Sequence, residues 1–158
     1  MKKVISITVL LVLCLAMVLL SGCDDPNAVY DDDATIAQSS DSRSASMSSR
    51  STTSNEYKQK VKITGTQTVW RYSARKDENI TLSYLLSVSE GGKAKLVLIT
   101  PDDEVITLIE NVDNTVYTEM TTQTISVKKG INRIKIVGYE DPKIELKLRV
   151  KVGQFVTD

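Results

Sequence analysis

Histidine is absent from all 158 residues. That removes imidazole metal sites, Ser-His triads and histidine-based proton transfer in one step. Cysteine is confined to Cys14 and Cys23, so everything after residue 23 lacks a disulfide, a thiolate zinc site and a cysteine nucleophile. An excess of either charge is also missing, with 20 basic against 20 acidic side chains. Bulk charge therefore argues against a nucleic-acid partner. No amphipathic helical pattern appears beyond the first 22 residues. Among enzymes, only those working with carboxylates or a Ser–Lys pair survive these absences.

What is present begins at the N-terminus. Lys2 and Lys3 precede an apolar run over residues 4–20, interrupted only by Ser6 and Thr8. A charged start, an apolar middle and a small-residue end are the parts of a secretory signal. The run is barely long enough to span a bilayer, which needs roughly 17 residues at least. It closes on Leu20, Ser21, Gly22 and Cys23.

Those four residues resemble the lipobox of bacterial lipoprotein precursors. The resemblance implies a diacylglyceryl group on Cys23 and cleavage just before it, so that 1–22 is a signal peptide and Cys23 a lipid anchor. It places the mature chain on the extracytoplasmic face of the membrane. Two acyl chains suit that role because one alone holds a protein only marginally, at about 0.8 kcal/mol per buried methylene. Asp24 resembles an inner-membrane retention signal of enteric-type lipoproteins, and carries no such meaning in a single-membrane cell. With the signal removed, Lys2 and Lys3 go too, leaving 18 basic against 20 acidic residues.

Residues 23–55 change character. Asp24, Asp25, Asp31, Asp32 and Asp33 come first, followed by a serine-rich tract from 39 to 54. Val29, Tyr30, Ile36 and Met47 share no periodicity. Such composition predicts a disordered tether, too poor in apolar surface to offset the entropy of ordering.

Residues 56–158 read as strands. Period-2 alternation covers Val61 and Ile63, then Thr68, Trp70, Tyr72 and Ala74, then Ile80, Leu82, Tyr84, Leu86 and Val88. Residues 94–99 are apolar on both faces and predict a strand central to the fold. Pro101, Asp102 and Asp103 predict a turn. Ile144, Leu146, Leu148, Val150 and Val152 alternate with charged neighbours to the end of the last strand. Seven or eight short strands predict an all-β, antiparallel β-sandwich. The run from Lys129 through Gly130, Ile131, Asn132, Arg133 and Ile134 to Ile136 resembles a strand of jelly-roll modules, including carbohydrate-binding ones. Immunoglobulin-like topology stays open, without its Cys–Trp–Cys hallmark.

Three groups are candidate sites. Trp70 and Tyr72 share a strand face, and exposed aromatics stack on sugar rings in sugar-binding sandwiches. The same face is the more apolar one, which favours Trp70 in the core. Asp102, Asp103 and Glu104, and separately Glu110, Asp113 and Asn114, carry oxygen ligands suited to calcium, but neither run has the order of a dedicated calcium loop. The stripe Lys143, Lys147, Arg149 and Lys151 suits anionic headgroups or acidic wall polymers, or equally an edge strand guarded by lysine; the edge reading is preferred. The expected whole is a lipid-anchored, non-catalytic binding module for an envelope glycan or protein, with no cofactor and no metal. The alternatives are a carboxylate-only envelope hydrolase and a structural lipoprotein.

Overall fold

The computed structural model describes residues 25–157. The signal expected at 1–22 and the anchor expected at Cys23 lie outside the described residues. Inside them one short helix, α1 (Asp33–Ile36), precedes nine strands: β1 (Arg43–Thr52), β2 (Glu56–Ala74), β3 (Glu78–Glu90), β4 (Lys93–Ile99), β5 (Val105–Val112), β6 (Thr121–Val127), β7 (Gly130–Tyr139), β8 (Lys143–Val150) and β9 (Gln154–Phe155).

The alternation around 61–63 and 68–74 belongs to a single strand of 19 residues. Its first part, from Glu56 to Lys62, pairs with β8, and its second, from Gly65 to Ala74, pairs with β7. β2 therefore passes from one sheet to the other. Gly65 makes the passage feasible: its φ is +96°, and a Cβ there would sit 2.1 Å from the Ser42 carbonyl oxygen. Along the resulting path one sheet reads β1-β2-β8-β3-β6 and the other β5-β4-β7-β2, with β9 added at the end of β2.

All pairings are antiparallel. The chain changes sheets between β3 and β4, β5 and β6, β6 and β7, and β7 and β8. Wrapping of this kind makes the sandwich a jelly roll. Between the layers lie Tyr57, Val61, Trp70, Leu82, Leu86, Leu96, Ile134, Ile136, Leu146 and Leu148, all buried. Burying each large apolar side chain contributes roughly 1.5–3 kcal/mol. The Gly130–Ile136 run folds as expected into β7, and the buried Asn132 shows why asparagine stands there. Its Nδ2 donates to the carbonyls of Lys128 (2.7 Å) and Gly130 (3.1 Å), and its Oδ1 accepts from the Lys128 N–H (3.1 Å), tying the strand to the turn before it.

Two expectations are corrected. The tether expected over 23–55 is folded chain from residue 25 onward. Val29, Tyr30, Ile36 and Ala37 pack on Val97, Ile99 and Val137, covering the outer face of β4 and β7. The double-faced apolar character of 94–99 thus has two causes, the core on one side and this segment on the other. The serine-rich tract forms β1, antiparallel to the first part of β2. Composition misleads here because strand pairing uses backbone groups, and β1 needs almost no buried side chain to be held. The second correction concerns the basic stripe. β8 lies between β2 and β3, so its lysines guard no edge.

Candidate functional site

The outer face of β7 carries Ile131, Arg133 and Lys135 in alternate positions, and two of the three side chains clamp the N-terminal segment. Lys135 is fully buried. Its Nζ donates to the carbonyls of Gln38 (2.7 Å) and Ser40 (2.9 Å) and pairs with Asp41 at 3.1 Å. Burial pushes the lysine below its ordinary pKa, and the Asp41 carboxylate partly restores it. Asp41 in turn accepts from the Thr68 N–H (2.8 Å) and hydroxyl (2.9 Å). One turn along, Arg133 donates to the Ala37 carbonyl (2.7 Å) and to Asp103 (3.1 Å).

Beside this clamp the segment leaves an open groove of about 1050 Å³. Arg71, directly opposite Arg133 in the β2–β7 register, forms its floor together with Ile131. α1 and the chain just after it, with Asp33, Ala37 and Gln38, make one wall; Pro101 and Asp103 of the β4–β5 turn make the other. Ile131 is 58% exposed, unusual for so large an apolar side chain at the centre of a concavity. Arg71 has no ion pair among the described residues, so its donors face the groove uncommitted. A fork of fixed donors beside an apolar surface is suited to a polar ligand with an apolar face, such as a sugar ring carrying hydroxyls or a carboxylate.

The aromatic pair singled out from sequence is elsewhere. Trp70 is fully buried, its Nε1 donates to the Val152 carbonyl (2.8 Å), and Gly153 lies so close that a Cβ there would meet the indole at 2.5 Å. It is therefore core and not a sugar platform, because the apolar face of its strand turns inward. Tyr72 packs on Trp70 with ring centroids 5.8 Å apart, is half-buried, and spends its hydroxyl on Glu78 at 2.8 Å. It borders a smaller hollow near Arg75 and Lys76, on the opposite side of β2 from Arg71.

The acidic turn serves cations already in the protein. Asp102 and Glu104 hold Lys128 Nζ at 2.8 and 2.9 Å, and the Lys128 bond, with one from the Thr100 hydroxyl, brings the Asp102 pKa down to about 2. Glu110 accepts from the Tyr30 hydroxyl at 2.9 Å, and Asp113 from the Asn114 amide at 2.9 Å. Among the described residues no cluster of three or more metal-ligating side chains occurs.

No protein-family model matches this chain. No curated protein matches it either. Solved structures to which it is similar include a family 4 carbohydrate-binding module, at 11% identity and a TM-score of 0.37, over 70% of this chain and 78% of that one. A family 29 carbohydrate-binding module gives the same identity and TM-score over 72% and 80%. An exo-β-1,3-galactanase from Phanerochaete chrysosporium gives 13% and 0.43, over 70% of this chain and 27% of that one. The likeness is loose, and the ligands of those proteins remain theirs.

The period-2 alternation puts Arg71 on the strand face opposite Trp70, and Arg133 lies within the run from Lys129 to Ile136. The groove needs a third partner, the N-terminal segment, which composition had assigned to a tether. The signal that was available is the alternation itself: Ile131, Arg133 and Lys135 share one face of β7, a mixed face that plain solvent exposure does not explain.

Proposed function

We propose that this chain is a lipid-anchored envelope protein whose jelly roll acts as a non-catalytic binding module for an envelope glycan, taken in the groove over Arg71. The observation that carries the reading is the groove itself: an uncommitted guanidinium beside an exposed Ile131 in a walled concavity of the outer sheet face. The lipobox resemblance supplies the location and the anchor at Cys23. No carboxylate pair is called on for catalysis, since Asp103 is engaged by Arg133.

Two measurements test the two halves separately. Cys23→Ser is expected to abolish incorporation of labelled fatty acid and to release the protein from membranes; unchanged labelling would end the lipoprotein reading. For the groove, full-length protein in neutral detergent is expected to co-sediment with purified peptidoglycan, with Arg71→Ala reducing retention about tenfold, the loss of one charge-assisted bond of ~1.5 kcal/mol. Retention unaffected by Arg71→Ala would refute the groove as the binding site.

A further inference from the structure

The outer face of the opposite sheet carries a second surface, and its charges follow a rule. Lys58, Lys60 and Lys62 of β2 lie beside Lys143, Lys147 and Arg149 of β8, with Lys58 opposite Lys147 and Lys62 opposite Lys143 in the register. Six cations thus share one face with three carboxylates. Each carboxylate bridges two of them. Glu56 holds Lys58 and Arg149 (2.6 Å), Glu145 holds Lys60 (3.3 Å) and Lys147 (3.1 Å), and Glu90 holds Lys62 (3.8 Å) and Lys143 (3.1 Å). All three glutamates are drawn below their ordinary pKa by these neighbours, so the pattern stays charged at neutral pH.

The surplus is three positive charges on one flat sheet face, in a mature chain that is slightly acidic as a whole. Two-to-one bridging has a further effect. The glutamates space the cations and keep them extended while leaving five of them exposed and Lys147 half-buried. The flanks are hydroxyls: Ser46, Ser49 and Ser51 on β1, and Ser83, Thr122 and Thr124 on β3 and β6. On the β3 flank Leu85 is buried beside Lys147, and the chain at Tyr117, itself exposed, lies over Ser87 through two bonds between its backbone and the Ser87 hydroxyl.

We propose that this face docks a linear phosphodiester polymer of the cell wall. Charge complementarity selects a polyanion. Alternate residues on a strand repeat at roughly 6.7 Å, a distance matched by an extended phosphodiester chain with three carbons between phosphates. A lipid surface is the other source of such anions. The cations stand in two straight rows, three on β2 and three on β8, a linear arrangement that suits a single extended chain of charges.

The test uses full-length protein in neutral detergent micelles and poly(glycerol phosphate) as probe. Binding is expected to weaken about 20-fold between 50 and 200 mM salt, as for three phosphate contacts on a flexible chain. The triple variant K58Q/K62Q/K147Q removes the surplus while leaving every glutamate one cation, and is expected to lower affinity at least tenfold. Glu145→Gln adds one net positive charge and is expected to raise it. Arg71→Ala is expected to lower retention on peptidoglycan without changing the affinity for poly(glycerol phosphate), which separates this face from the groove. Unchanged affinity in the triple variant, or tighter binding to phosphatidylglycerol vesicles or to polygalacturonate than to the phosphodiester, would overturn the proposal.

Discussion

Trp70→Ala is expected to lower the unfolding free energy by about 3–5 kcal/mol, the range for deleting a fully buried tryptophan. Chemical denaturation followed by circular dichroism measures it. The indole does three jobs in the structure. It fills the core where β2 meets β7, supports the Tyr72 ring, and holds the chain after β8 through the Val152 carbonyl. Loss of the last contact loosens residues 152–157, whose remaining ties to β2 are the short β9 pairing, the Val156 N–H bond to the Val69 carbonyl and the Phe155 ring against Tyr57. The C-terminal amides are therefore expected to lose exchange protection in the variant. A change below 1 kcal/mol would contradict the burial on which the core assignment of Trp70 rests.

Asp41→Ala is expected to cost a similar amount, about 3–5 kcal/mol, because it strips one partner from a buried ion pair. Lys135 would keep only the Gln38 and Ser40 carbonyls, and the Thr68 N–H and hydroxyl would lose their acceptor. The damage is expected to be local first. Residues 25–42 should become accessible to protease, and amide exchange should rise over that segment before the sandwich opens. The pH dependence has a definite sign. Burial already lowers the lysine pKa, and without Asp41 it falls further. The folded state then sheds its proton before the unfolded state, whose lysine titrates at about 10.4. Stability of the variant should consequently rise as pH climbs from 7 toward that value, narrowing its deficit against the native protein. A deficit that widened over the same range would mean that Lys135 is not the group left stranded.

The strands between residues 56 and 150 were legible because burial on one face enforces a period of two, and their residues carry it plainly. β3 and β8 show the pattern most cleanly. The crossing of β2 between sheets was not legible, since Thr66 and Gln67 fill it with polar residues and only Gly65 hints at a bend. The N-terminal segment escaped for a different reason. Its few apolar residues are buried against a face already formed by other strands, and its polar carbonyls are met by Arg133 and Lys135, about a hundred positions away. Periodicity detects elements that pack by themselves, and a covering strap has no period to show. Trp70 was readable as core from its strand face. The site beside Arg71 was not, because it exists only once the strap is in place.

That strap sets the order in which the protein can become itself. Its contacts join Asn27 to Glu140, Ala37 to Arg133 and Gln38 to Lys135, separations of 113, 96 and 97 residues. The first residues of the described chain to be synthesised are thus among the last to find their places, waiting for β7 to emerge. Long-range closure of this kind slows folding and leaves early segments unsatisfied for longer. The polar, serine-rich and acidic composition from residue 25 to 54 suits that wait. A stretch that must stand idle in solvent while a hundred residues follow is best made of side chains that do not aggregate, and its composition records that interval.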